Sequence, residues 1–158
     1  MRISDGPLSL DLLLRETDGV DAGALVVFAG TVRASDAGKD VVALDYDVHR
    51  EMAEAAIRRI ERGLLSREGV LACRIVHRVG AVGAGEPSVY VVVRARHRAE
   101  GFLVAREAID RIKSEVPIWK VDVFADGTRS ASSSAIPLVP VSPDGAGSAR
   151  GAGIESQG

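Results

Sequence analysis

Lysine is scarce in this 158-residue chain: of twenty Lys and Arg residues only three, Lys39, Lys113 and Lys120, are lysine. A general preference for arginine accounts for the ratio but leaves open why two of the three fall within eight residues of each other. Aromatics make up only 4% of the chain, so aliphatic side chains and alanine must fill the interior. A single cysteine, Cys73, excludes an internal disulfide framework. No hydrophobic run approaches the roughly 18 residues of a membrane span, and the N-terminal MRISDGPLSL lacks the charged-then-apolar layout of a secretory signal. With a net charge of −2, a surface built to coat nucleic acid or an anionic membrane is not expected. What is present, 46% hydrophobic and 27% charged residues, suits one soluble, cytoplasmic domain whose core requires neither disulfide nor metal.

Residues 23–32, GALVVFAGTV, read as a buried strand and residues 41–48, VVALDYDV, as the next, with an exposed loop between them. Met52, Ala56, Ile60 and Leu64 then recur every four residues, which predicts an amphipathic helix over 50–66. Strands are expected at 70–80 and 89–95, separated by the turn residues AVGAGEPS. A second helix is expected over 99–115, with Phe102, Ala105, Ile109, Ile112 and Val116 on one face and Pro117 ending it. Residues 118–124, IWKVDVF, form a last strand, closed by the Asp126-Gly127 turn. With a short helix near Leu8–Leu14, the order is α+β rather than a regular βαβ alternation. The working domain is expected at 1–127. Residues 128–158, rich in Ser, Ala, Gly and Pro and without an aromatic, are expected to form a disordered tail.

Three features could carry chemistry. The run Arg94-Ala95-Arg96-His97-Arg98 opens a helix, where the unpaired N–H groups already disfavour cations unless an anion joins them; the plain alternative is that these arginines point into water. Lys113 in the last helical turn and Lys120 beyond Pro117 could reach one pocket if the chain reverses at the proline. Otherwise Lys113 is a helix-capping cation and Lys120 an outward strand residue. Arg33 ends the first strand, held there or solvated. His49, His77 and His97 lack paired metal-ligand spacing, so no metal site is expected. Cys73, within an apolar strand, is most simply a buried small hydrophobe.

Taken in order, FAGTVR at 28–33, LDYDVHREMA at 44–53, HRVG at 77–80, HR at 97–98 and IDRIKSEVPIWK at 109–120 resemble the catalytic large subunit of molybdopterin synthase, the MoaE family, over about residues 20–127. The resemblance implies an α/β-hammerhead α+β fold and no bound cofactor. It also implies a homodimer with a small ubiquitin-like subunit at each end, a heterotetramer. The implied reaction converts cyclic pyranopterin monophosphate to molybdopterin, with sulfur arriving as a thiocarboxylate on the C-terminal glycine of the small subunit. Lys113 and Lys120 match the family lysines facing that terminus and are the implied catalytic residues, Lys113 to orient or attack the thiocarboxylate carbonyl and Lys120 to stabilise the developing negative charge. Thr31, Val32, Arg33, His97, Arg98, Val121 and Asp122 match substrate-binding positions. Val121 and Asp122 stand where a lysine and a glutamate are common, His49 where a tyrosine is common, and the family's Trp after Asp-Gly is missing. Two rival readings follow: an inactive dimeric scaffold of the same family, or a nucleic-acid-binding module using the Arg94 to Arg98 stripe.

Overall fold

A computed structural model describes residues 1–131. In chain order its elements are β1 (Ile3–Ser4), α1 (Leu10–Glu16), β2 (Ala24–Thr31), β3 (Ser35–Asp36), β4 (Lys39–Val48), α2 (Arg50–Leu65), β5 (Val70–Arg78), β6 (Gly80–Gly83), β7 (Pro87–Ala95), α3 (Arg98–Glu115), β8 (Ile118–Phe124) and β9 (Arg129–Ala131). The expected α+β order is present, with short strands added. One sheet runs β1-β5-β7-β2. The other runs β3-β4-β8-β9, with β6 also paired to β4. No helix among the described residues is long and apolar enough to cross a membrane.

Helices α2 and α3 cover one face of the first sheet. From α2, Ala53, Ile57, Ile60 and Leu64 are wholly buried against Cys73 and Ile75 of β5 and Val91 and Val93 of β7. Burying each of the larger aliphatics contributes about 1.5–3 kcal/mol. Met52, expected on this stripe, is exposed instead. On α3 the buried residues are Gly101, Val104, Ala105, Ala108 and Ile112, while Phe102 points to solvent. The small residues let the helix lie close on the sheet: a Cβ at Gly101 would come within 3.0 Å of the Val26 side chain.

Glu61 of α2 is a buried carboxylate. It accepts the Ile75 N–H at 2.9 Å and the Arg2 Nε–H at 2.9 Å, tying α2 to β5 and to the chain's start.

The loop expected at 33–40 is a hairpin, β3 to β4, turning through Ala37 and Gly38. Both have positive φ, as a two-residue turn matched to strand twist requires. Beyond it a smaller core gathers Val32, Val41, Leu44, Val82 and Phe124, with Lys39 Nζ 5.1 Å from the centre of the Phe124 ring. After the Asp126-Gly127 turn the chain pairs again, so β9 carries ordered backbone past the boundary drawn at residue 127. From residue 132 onward the expected disordered tail lies outside the described residues.

Candidate active site

Where the two sheets meet beneath the C-terminal half of α3 lies a pocket of about 500 Å³. Three backbone devices shape it. First, the β2–β7 register shifts between Gly30 and Thr31, and the chain leaves the first sheet with Val32 bonded to the β6–β7 turn through Glu86 O and the Gly85 N–H. This carries Arg33 to the pocket rim. Second, a Cβ at Gly30 would drive into the Val89 side chain, so glycine there keeps the wall open. Third, the helix ends at Glu115, just short of Pro117, and β8 runs back beneath it, which places Lys113 and Lys120 in the same lining.

Lys120 lies opposite Tyr46 across the antiparallel β4–β8 ladder. Burial pushes its pKa below the usual lysine range, and the charges of Arg33 and Lys113 add to the lowering while Asp122 and Asp36 oppose it. Lys113 is exposed at the mouth. Arg33 also lines the pocket and is ion-paired to Asp36 at 3.0 Å. The pocket is therefore a cationic cleft with a half-dry lysine in it. Such a cleft favours an anionic ligand and stabilises negative charge that develops near Lys120.

The structure divides the expected site residues. Thr31, Arg33, Lys113 and Lys120 line the pocket. Val32 is buried in the smaller core, where it sets the course of the chain rather than the lining. Asp122 is buried two residues beyond Lys120 on the same strand face and bears on its charge. Val121 faces the other way, registered with Asp45 and Ala131. His97 and Arg98 stand at the opposite end of α3, about 24 Å from Lys113 at 1.5 Å per helical residue. The arginine stripe does not form one surface: Arg94 turns under α1, bonding Leu14 O and pairing with Asp18. Cys73 is buried, and burial, with Glu61 nearby, pushes its thiol pKa up to about 12.

Three polar residues of the lining, Tyr46, His77 and Ser88, carried no site assignment in the sequence. A signal existed for one of them. Alternation along β5 puts His77 on the same face as Cys73 and Ile75, and hence toward the interior.

The model of the MoaE protein family matches residues 3–115. The chain belongs to the MoaE family. It is 42% identical to the molybdopterin synthase catalytic subunit of Thermoplasma volcanium over 110 residues, 70% of this chain and 80% of that protein. Among solved structures, molybdopterin synthase from Staphylococcus aureus superposes with a TM-score of 0.78 at 30% identity, covering 83% of this chain and 95% of that one. The fold is also that of a chain in the complex of subunits 1 and 2 of molybdopterin-converting factor from Helicobacter pylori, with a TM-score of 0.69 at 24% identity and coverage of 84% and 89%. For a MoaE chain, the two lysines sharing a pocket are the residues the sequence motif singled out.

Proposed function

We infer that this chain is the catalytic subunit of a molybdopterin synthase, a sulfur-transferring enzyme of molybdenum cofactor biosynthesis. The observation that carries the reading is the convergence of Lys113, Lys120 and Arg33 on one pocket, in a chain whose relatives bear that name. The partner is a small ubiquitin-like subunit whose C-terminal glycine thiocarboxylate enters the pocket mouth. The substrate is cyclic pyranopterin monophosphate, and the product is molybdopterin with its two dithiolene sulfurs. An external sulfur donor suits a chain whose one cysteine is buried and hard to ionise.

The residues divide the work by charge and solvation. Arg33 supplies a planar donor pair for the substrate phosphate. Lys113, exposed at the C-terminal end of α3 beside the pocket mouth, orients the thiocarboxylate by its charge. Lys120, the desolvated lysine, stands closest to the form that can transfer a proton or attack a carbonyl, and it stabilises charge developing during transfer. Asp122 holds Lys120 by its opposite charge. His97 and Arg98 lie too far from this pocket to reach the same ligand within one protomer. A homodimer, in which a second copy supplies its own helix start, reconciles their motif with their position. Exposed apolar side chains on β2 (Leu25, Val27) and α3 (Phe102, Leu103) offer area for such association.

Reconstitution with a thiocarboxylated small subunit and cyclic pyranopterin monophosphate, following molybdopterin by its fluorescent oxidised derivative, tests the reading. Product that depends on both components is expected. A stable complex that makes none would replace the enzyme with the inactive scaffold.

A further inference from the structure

Apart from hydroxyls, the side chains that carry the pocket's charge are all donors: Lys113, Lys120 and Arg33. Two groups on its floor are of the opposite kind. His77 is buried and has its Nδ1 2.7 Å from the carbonyl oxygen of Arg78. A carbonyl only accepts, so Nδ1 carries the proton and Nε2 is left as a bare acceptor. Nε2 has no hydrogen-bond partner among the described residues, and it is not one of the buried side-chain atoms sealed away unpaired. His77 lines the pocket, and with Nδ1 engaged by the backbone, Nε2 is the ring nitrogen left to meet a ligand there.

Tyr46 packs edge-on against the imidazole, with ring centroids 5.0 Å apart. Its hydroxyl donates to Ser88 Oγ at 3.2 Å, and Ser88 in turn donates to Gly30 O at 3.3 Å. That relay ends on a carbonyl, so its direction is fixed and the phenol oxygen keeps a free lone pair. Burial holds both groups uncharged: the His77 pKa falls to about 4 and the Tyr46 pKa rises. The floor is a neutral acceptor edge set beneath a ring of cations.

We propose that His77 determines specificity in this pocket: its Nε2, flanked by the Tyr46 oxygen, accepts a hydrogen bond from a ring or amino N–H of the bound heterocycle, while Arg33 and the lysines hold the anionic groups. The inference rests on the pterin reading above and deepens it. An anion without an N–H edge would satisfy the cations and leave Nε2 unpaired, which disfavours it. The role is recognition, not proton transfer, because a neutral imidazole held this far below its ordinary pKa is a weak base.

Two substitutions separate recognition from support. His77→Asn retains a donor where Nδ1–H meets the Arg78 carbonyl but removes the acceptor at Nε2. His77→Gln places an amide oxygen near the Nε2 position. In the reconstituted complex, His77→Asn should raise KM for cyclic pyranopterin monophosphate by about tenfold or more while kcat changes little, the loss of one hydrogen bond from the bound state. His77→Gln should recover most of that loss. An unchanged KM in a folded His77→Asn protein, or a His77→Gln protein no better than it, would overturn the proposal.

Should the variants fail to fold, wild-type protein labelled with 15N-histidine serves instead. The Nε2 resonance should be that of an unprotonated nitrogen and should move when the pterin is added. A protonated Nε2, or one that stays put at saturation, rejects the assignment. Wild-type protein that binds the pterin without making product would count against the enzyme reading, and the nitrogen resonance would still decide the role of His77.

Discussion

Tyr46 and Lys120 stand directly opposite each other on β4 and β8, and both face the pocket. The aromatic ring is therefore part of what strips water from the ammonium group and lowers its pKa. Tyr46→Ala should let water in and raise the Lys120 pKa back toward the ordinary lysine value, whereas Tyr46→Phe should leave it low. Titration of 15N-labelled lysine in the two variants checks this. Equal values in both would assign the desolvation to other walls.

Lys113→Ala and Lys120→Ala should each reduce molybdopterin formation by about a hundredfold or more, the usual loss when a charge-stabilising donor is removed from a closed site. Both should still bind the small subunit and retain wild-type thermal stability, since neither side chain packs in a core. Lys113→Arg should keep part of the activity because it preserves the charge. Lys120→Arg should not, because a guanidinium stays protonated and is too large for a half-buried position. Near-normal turnover in either alanine variant would remove that lysine from the reaction.

Stability should fall as pH drops below neutrality, and His77 should be the main cause. Its folded pKa of about 4 lies below the unfolded value of 6.5. As pH falls, the unfolded chain therefore takes up the proton first. The stability is fully present above the unfolded pKa and is lost through the window from 6.5 to 4. Between pH 7.5 and 5 the cost is about 2 kcal/mol, visible as a lower urea midpoint with unchanged slope. The carboxylates with lowered pKa, Glu54 and Glu115 among them, lose their contribution only at more acid pH. His77→Gln should flatten the decline, and a decline of equal size in that variant would exonerate His77.

Cys73→Ala should support normal sulfur transfer if the sulfur comes from the partner's terminus, as proposed above. In the folded protein Cys73 should resist thiol reagents at neutral pH, burial having pushed its pKa to about 12. Denaturant should make it react. A marked loss of product from a stable Cys73→Ala protein would show that the chain takes part in sulfur relay after all.

Removing the Glu61 carboxylate leaves the Ile75 N–H and the Arg2 guanidinium without their acceptor. Glu61→Ala should destabilise the protein by about 3 kcal/mol. Double substitution with Arg2→Ala should cost less than the sum of the single changes. Strict additivity in denaturant melts would mean that the pair is not coupled.

The long strands and both major helices were legible from apolar runs and hydrophobic period, but β2, read as a buried strand, has no buried residue because it lies at the edge of its sheet. Strands β1, β3, β6 and β9 were not legible: at two to four residues they have no period to read and exist through pairing with β5, β4 and β8. On α3 the expected face held at Ala105, Ile109, Ile112 and Val116 but failed at Phe102, whose bulk looked like that of a core residue and which is exposed. Packing close to a sheet instead selects Gly101, Ala105 and Ala108. Within the site, Lys113 and Lys120 could be paired from the proline between them. The polar floor could not, because Tyr46, His77 and Ser88 come from three strands and meet only after both sheets form.

Val32 was expected at the substrate and lies instead in the smaller core, between Thr31 and Arg33, which do line the pocket. Packed there and bonded to the β6–β7 turn through Glu86 O and the Gly85 N–H, it pins the backbone from which Arg33 leaves for the pocket rim. Natural variation at aliphatic positions of the smaller core can thus retune the reach of Arg33 toward its ligand without altering any polar atom. Inventories of catalytic residues would overlook such changes.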